Sequence, residues 1–128
     1  MRVLLDTHAF LWFINGDKNL SQRSRLLIQE ADNEVLISIV TLWEITIKTS
    51  LKKLDLSQPF NVLIPRELAD NEFTQLPVTI DHLIQLSNLP FHHRDPFDRL
   101  LIAQSLFEQV PLISKDSEFD NYGLERIW

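Results

Sequence analysis

The stretch Arg2-Val3-Leu4-Leu5-Asp6-Thr7 decides the fold. A short apolar run that ends on an acid reads as a buried strand. Working outward, His8 to Ile14 is apolar enough for a buried helix, and Asn15-Gly16-Asp17 stops it. Ser21 is the expected cap of a helix running to about Asp32, with Leu26, Leu27 and Ala31 on its inner side. Val35 to Val40, rich in β-branched residues, reads as a second buried strand. Thr41 is the expected cap of the next helix, which runs through Trp43, Ile47 and Leu51 to the basic end Lys52-Lys53. Residues 55 to 72 are the least legible, and one helix is expected after Pro65. Phe73 to Val78 reads as a third strand and Ile80 to Leu89 as a helix. Pro96 to Gln109 forms a strongly apolar helix, Val110 to Ser114 a strand, and Leu124 to Trp128 a last edge strand. Strands alternating with helices predict an α/β fold, with a parallel sheet covered on both faces.

Bulk composition limits the alternatives. A chain of 128 residues suits one domain spanning 1–128. A hydrophobic share of 45% with 23% charged residues is ordinary for a globular protein, and two glycines argue against disorder or repeats. No segment has the pattern of a signal peptide, and the apolar runs are too short to span a bilayer. The absence of cysteine excludes disulfides and thiolate metal sites, and a cytoplasmic location is expected. A net charge of −6 lowers the expectation of tight, nonspecific nucleic-acid binding. A sum of charges does not locate them, and acids gathered on divalent metals make the local field positive.

In parallel sheets, ligands bind beyond the carboxyl ends of the strands. Asp6 closes the first strand, and Asp116 lies just past Val110 to Ser114. Glu44 lies one turn into the helix after the second strand, and Asp98 in the first turn of the helix from Pro96. The first three share one sheet edge by topology; Asp98 joins them only if its helix begins there. Such carboxylates repel by a few kcal/mol per pair at an intermediate dielectric. A cluster of them persists with a cation, and hard oxygen ligands suit magnesium or manganese, not zinc. Magnesium would activate a water against a phosphodiester and screen the developing charge. Lys48, Arg94, Arg99 and Lys115 lie near these acids in sequence and are candidates to hold a substrate backbone.

Taken singly, each acid has a structural reading. Asp6 is a favoured N-cap, and Glu44 has Lys48 at i,i+4. Asp95-Pro96 is a helix start, which assigns Asp95 chiefly to capping and leaves Asp98 for metal. Asp116 reads as a plain loop residue, His92 and His93 as solvated loop residues, and the tryptophans as core or interface. Convergence is what favours the functional reading. A phosphoacceptor or phosphatase domain on a similar sheet is the rival enzyme class, with Asp6 as the acceptor; Asp6 lacks the neighbouring acid such sites use.

Leu4-Leu5-Asp6-Thr7-His8-Ala9, Trp43-Glu44-Ile45, the run His92-His93-Arg94-Asp95-Pro96-Phe97-Asp98-Arg99-Leu100-Leu101-Ile102-Ala103-Gln104 and Ile113-Ser114-Lys115-Asp116-Ser117-Glu118-Phe119 together resemble a PIN-domain protein. The likeness runs from Arg2 to Trp128 and is most specific from His92 to Gln104. It is strongest toward the VapC-like ribonucleases, many of which are toxins paired with a small antitoxin. The resemblance implies a three-layer α/β/α fold and metal-dependent cleavage of RNA that leaves a 5′-phosphate and a 3′-hydroxyl. It implies Asp6, Glu44, Asp98 and Asp116 as the catalytic and metal-binding acids, with Asp95 an extra acid that part of the family shares. It further implies a homodimer and an antitoxin bound across the active-site groove. An inactive PIN-like binding module is the third reading, and the intact set of four acids weighs against it.

Overall fold

Alternation along β1 (Arg2–Leu5) sends Val3 and Leu5 to one face of a sheet and Leu4 to the other, and all three are fully buried. A strand buried on both faces has to lie inside a sheet, with helices above and below. The computed structural model, which describes all 128 residues, shows that arrangement. After β1 come α1 (Thr7–Ile14), α2 (Gln22–Gln29), β2 (Glu34–Ser38), α3 (Ile39–Ser50), α4 (Phe60–Asp70) and β3 (Thr74–Leu76). They are followed by α5 (Ile80–Ser87), α6 (Pro96–Glu108), β4 (Leu112–Ile113), a 3₁₀ helix (Ser117–Tyr122) and β5 (Arg126–Ile127). The strands form one five-stranded sheet in the order β3-β2-β1-β4-β5, with every neighbouring pair parallel.

Two apolar clusters lie on the two sides of this sheet. Val3, Leu5, Val35, Ile37, Ile113 and Ile127 pack with residues of α1, α2 and α4. Leu4, Leu36, Leu76 and Leu112 pack with α6 and with Phe119 of the 3₁₀ helix. The result is a three-layer α/β/α sandwich. α3 contributes to both layers, since Val40 joins the second cluster and Ile45 the first. No helix is long and apolar enough to cross a membrane.

The order and type of the expected elements hold, and several boundaries differ for local reasons. Ser38, not Thr41, caps α3: its hydroxyl accepts from the Val40 amide at 3.0 Å and donates to Gln104 Oε1 at 2.6 Å. α4 begins at Phe60 and carries Pro65 inside it, so the expected start after Pro65 is corrected. Burial of Leu63, Ile64 and Leu68 offsets the hydrogen bond that Pro65 cannot donate. α2 stops at Gln29 because Glu30 is already extended, which leaves Leu26 exposed and Ala31 outside the helix. Ser24 and Ile28 are buried on its inner face, and Leu27 packs against the same cluster as expected.

α6 decides the geometry of the site. It ends at Gln109, whose left-handed backbone (φ 55°, ψ 47°) turns the chain directly into β4. A helix that feeds the start of a parallel strand runs against the strands, so its own first turn lies at their carboxyl edge.

Candidate metal centre

Asp6 follows the last residue of β1, and its amide donates to the Ile113 carbonyl of β4 at 3.1 Å. Its Oδ1 accepts from the Ala9 amide at 2.8 Å, so it does cap α1. Only 6% of Asp6 is exposed. Burial raises its pKa above the ordinary carboxylate value, against the opposing pull of the Ser114 hydroxyl and the Ala9 amide; the nearby charge of Glu44 adds to the rise.

Glu44 sits in the second turn of α3 and is 3% exposed. Its Oε1 accepts from Thr7 Oγ1 at 2.7 Å, and its Oε2 is paired with Lys48. A carboxylate has about four lone-pair sites, so these two bonds orient Glu44 without exhausting it. The Lys48 pKa is raised, chiefly by the hydrogen bond to Glu44.

Asp98 lies in the first turn of α6, where its amide donates to Asp95 Oδ1 at 3.0 Å. Its carboxyl is pushed up to about 7, first by burial and next by the charge of Asp95, with Asp6 and Glu44 adding and His93 opposing. Asp116 caps the 3₁₀ helix through its Oδ1, which accepts from the Glu118 amide at 3.0 Å. Its Oδ2 lies 3.2 Å from His93 Nε2, and that same nitrogen is 3.3 Å from Asp98 Oδ2. Ligand atoms of His93, Asp98 and Asp116 all fall within 4.8 Å of one another. Asp98 and Asp116 thus meet at His93, and the charges of Asp6 and Glu44 lie close enough to act on Asp98.

The donor set fits a divalent cation. The grouped donors are the carboxylate oxygens of Asp98 and Asp116 and an imidazole nitrogen of His93, without sulfur, and the carboxylates suit magnesium or manganese. Burial is the main reason the Asp98 pKa is raised, and the neighbouring acids add to it, so a cation placed here would favour the ionised carboxylate.

Two expectations need correction. His93 is not a solvated loop residue: its side chain is 14% exposed and bridges Asp98 and Asp116. Arg99 is not a free substrate-holding cation. It is buried, donates to the Pro90 carbonyl at 2.8 Å and the Leu89 carbonyl at 3.4 Å, and lies 3.9 Å from the centre of the Phe91 ring. Arg94 and Lys115 are exposed, and the Lys115 ammonium lies 5.9 Å from the Trp12 ring centre. Sequence reasoning also passed over Thr7, Ser114 and Tyr122 as supports of the acids. Thr7 adjoins Asp6 and Ser114 precedes Asp116 by two, so proximity was a usable signal for both; nothing local marked Tyr122.

An acidic cluster at the carboxyl edge of a parallel three-layer sheet points to a class of protein. The chain belongs to the PIN-domain family, whose pattern matches residues 3–124. Relatives with this domain are nucleases, which assigns hydrolysis of nucleic acid as the broad chemistry. No curated protein matches the chain. Solved structures do match in fold. VapBC2 from Rickettsia felis, bound to a DNA fragment from its promoter, superposes with a TM-score of 0.75 at 17% identity, covering 100% of this chain and 99% of that one. VapBC-1 from nontypeable Haemophilus influenzae gives 0.67 at 16% identity, covering 99% and 97%. A toxin–antitoxin complex from Klebsiella pneumoniae gives 0.60 at 14% identity, covering 90% and 87%.

Proposed function

We propose that this chain is a metal-dependent endoribonuclease that hydrolyses RNA phosphodiester bonds, with Asp6, Glu44, Asp98 and Asp116 as its catalytic and metal-holding residues. The observation that carries the reading is the approach of Asp98 and Asp116 to a shared point beside His93, with ligand atoms within 4.8 Å of one another. Burial there raises the Asp98 pKa to about 7, and the charges of Asp95, Asp6 and Glu44 add to the rise. Magnesium or manganese, when bound, supplies activation of a water and screening of the charge on the phosphoryl oxygens.

The protein's own contribution is to hold its acids still. The Ala9 amide fixes Asp6, Thr7 and Lys48 fix Glu44, and the Glu118 amide fixes Asp116. Groups held in place before the reaction need no reorganisation during it. Arg94 and Lys115, both exposed beside these acids in sequence, offer the positive charge that a phosphate backbone needs in a chain with a net charge of −6.

The same reading takes the chain to be the toxin of a toxin–antitoxin pair, acting as a homodimer and held inactive by a small antitoxin protein. Support comes from the fold shared with the VapBC and toxin–antitoxin complexes and from apolar side chains left in the open. Phe91 is 83% exposed, Ile80 76% and Trp43 55%.

Purified protein is expected to cut single-stranded RNA with magnesium or manganese and to stop on addition of a chelator. Asp6→Asn is expected to abolish cutting while preserving the fold. Robust cleavage by that variant, after nuclease contamination has been excluded, rejects the assignment.

A further inference from the structure

The two nitrogens of His93 are committed in opposite senses. Nδ1 lies 3.1 Å from the backbone amide of Asp95, which has only a proton to offer, so Nδ1 is the bare, accepting nitrogen. The neutral ring therefore carries its proton on Nε2. Nε2 is 3.2 Å from Asp116 Oδ2 and 3.3 Å from Asp98 Oδ2, and its single N–H lies between two carboxylates.

The ring is held there from behind. Tyr122 Oη accepts from the His93 amide at 2.7 Å, and the Phe119 ring packs edge-on against the imidazole with centres 5.6 Å apart. Arg99 donates to the Pro90 carbonyl and approaches the Tyr122 hydroxyl at 3.4 Å, so the segment bearing His93 is clamped at both ends.

A magnesium-sized cation takes oxygen ligands at about 2.1 Å, so one shared by Asp98 and Asp116 would compete with the Nε2 proton for the same oxygens. Nε2 cannot ligate while it keeps that proton. Moving the proton to Nδ1 would set two N–H groups against each other and break the bond to Asp95. Proton and cation exclude each other.

We propose that His93 is a placeholder: its Nε2–H ties Asp98 to Asp116 in the metal-free protein, and it competes with the metal for both. This rests on the metal role proposed above for those two acids. The imidazole keeps the carboxylates together until a cation arrives, and it gives way on loading. His93 is thus a positioning residue, and removing it strengthens metal binding instead of weakening it.

The test uses the full chain and Mn²⁺ alone. A long-range ¹H–¹⁵N spectrum of the metal-free protein is expected to show the His93 proton on Nε2. His93→Ala, which removes the donor, is expected to bind Mn²⁺ about tenfold more tightly by calorimetry and to melt at a lower temperature without metal. His93→Gln, which keeps an N–H donor at similar reach, is expected to stay near the wild-type affinity. Weaker binding by His93→Ala would make His93 a ligand and overturn the inference; unchanged binding, or a proton found on Nδ1, overturns it as well. Wild-type protein that takes up no Mn²⁺ at millimolar concentration rejects the metal reading itself, a failure separate from the others.

Discussion

Thr7 Oγ1 donates to Glu44 Oε1 across 2.7 Å and ties the first residue of α1 to the second turn of α3. A hydroxyl has one proton, so the contact between Thr7 Oγ1 and Thr41 Oγ1 at 3.2 Å has Thr41 donating to Thr7. Both threonines and Glu44 are buried. The short chain of bonds fixes a buried carboxylate beside Asp6.

Thr7→Val keeps the shape of the side chain and removes that proton. Glu44 is left with Lys48 as its one side-chain donor, and the loss is expected to destabilise the protein by about 1–3 kcal/mol. Thr7→Ser, which keeps the hydroxyl, is expected to recover most of it. Denaturant unfolding of the three proteins measures the difference.

Asp98 makes the metal-free protein sensitive to pH. Its carboxyl holds a proton up to about 7 in the folded state against an ordinary value of 3.8. Between those values the folded state binds more protons than the unfolded state, so this stabilisation is complete at acid pH and lost as pH rises toward 7. With chelator present, the melting temperature is expected to fall from pH 5 to pH 8. Asp98→Asn is expected to make that fall shallower; the raised pKa of Asp6 keeps it from vanishing. An equal pH dependence in wild type and variant would contradict this account of the site.

Arg99 acts on the fold, not on a substrate. Arg99→Lys loses the planar fork that reaches the Leu89 and Pro90 carbonyls together, and is expected to cost about 1–3 kcal/mol. The His93 amide, freed with its loop, is expected to exchange faster with solvent. Arg94→Ala, at an exposed position, is expected to change stability by no more than about 0.5 kcal/mol. Hydrogen exchange and unfolding curves on both variants check the contrast.

Gln109 occupies the left-handed region that a side chain resists, at the turn from α6 into β4. Gln109→Gly removes the Cβ that makes this conformation unfavourable, and a gain of about 0.5–1 kcal/mol is expected. A loss on unfolding measurements would show that the exposed Gln109 side chain makes contributions beyond its backbone.

Legibility followed the range of the forces involved. The alternating burial of Val3, Leu4 and Leu5, and of Val35, Leu36 and Ile37, was readable because a strand covered on both faces tolerates no polar side chain. Asp95-Pro96 announced the start of α6 because capping is decided within four residues. Pro65 misled because its preference for the first helical position is worth less than the burial of Leu63, Ile64 and Leu68 around it. His93 misled for a related reason: between polar neighbours it looks solvated, and only Tyr122, Asp98 and Asp116, packed around it, make it a partly buried bridge.

The order of residues by itself determined the parallel sheet, its covering helices and the acids placed at the ends of β1 and β4, since these follow from periodicity and from contacts a few residues long. Only the tertiary structure decided that α6 begins at that same edge, that Glu44 is held by Thr7, and that His93 Nε2 faces Asp98 and Asp116. Those features depend on side chains meeting from segments tens of residues apart. No local preference encodes such meetings; the packing of whole helices against the sheet brings them about.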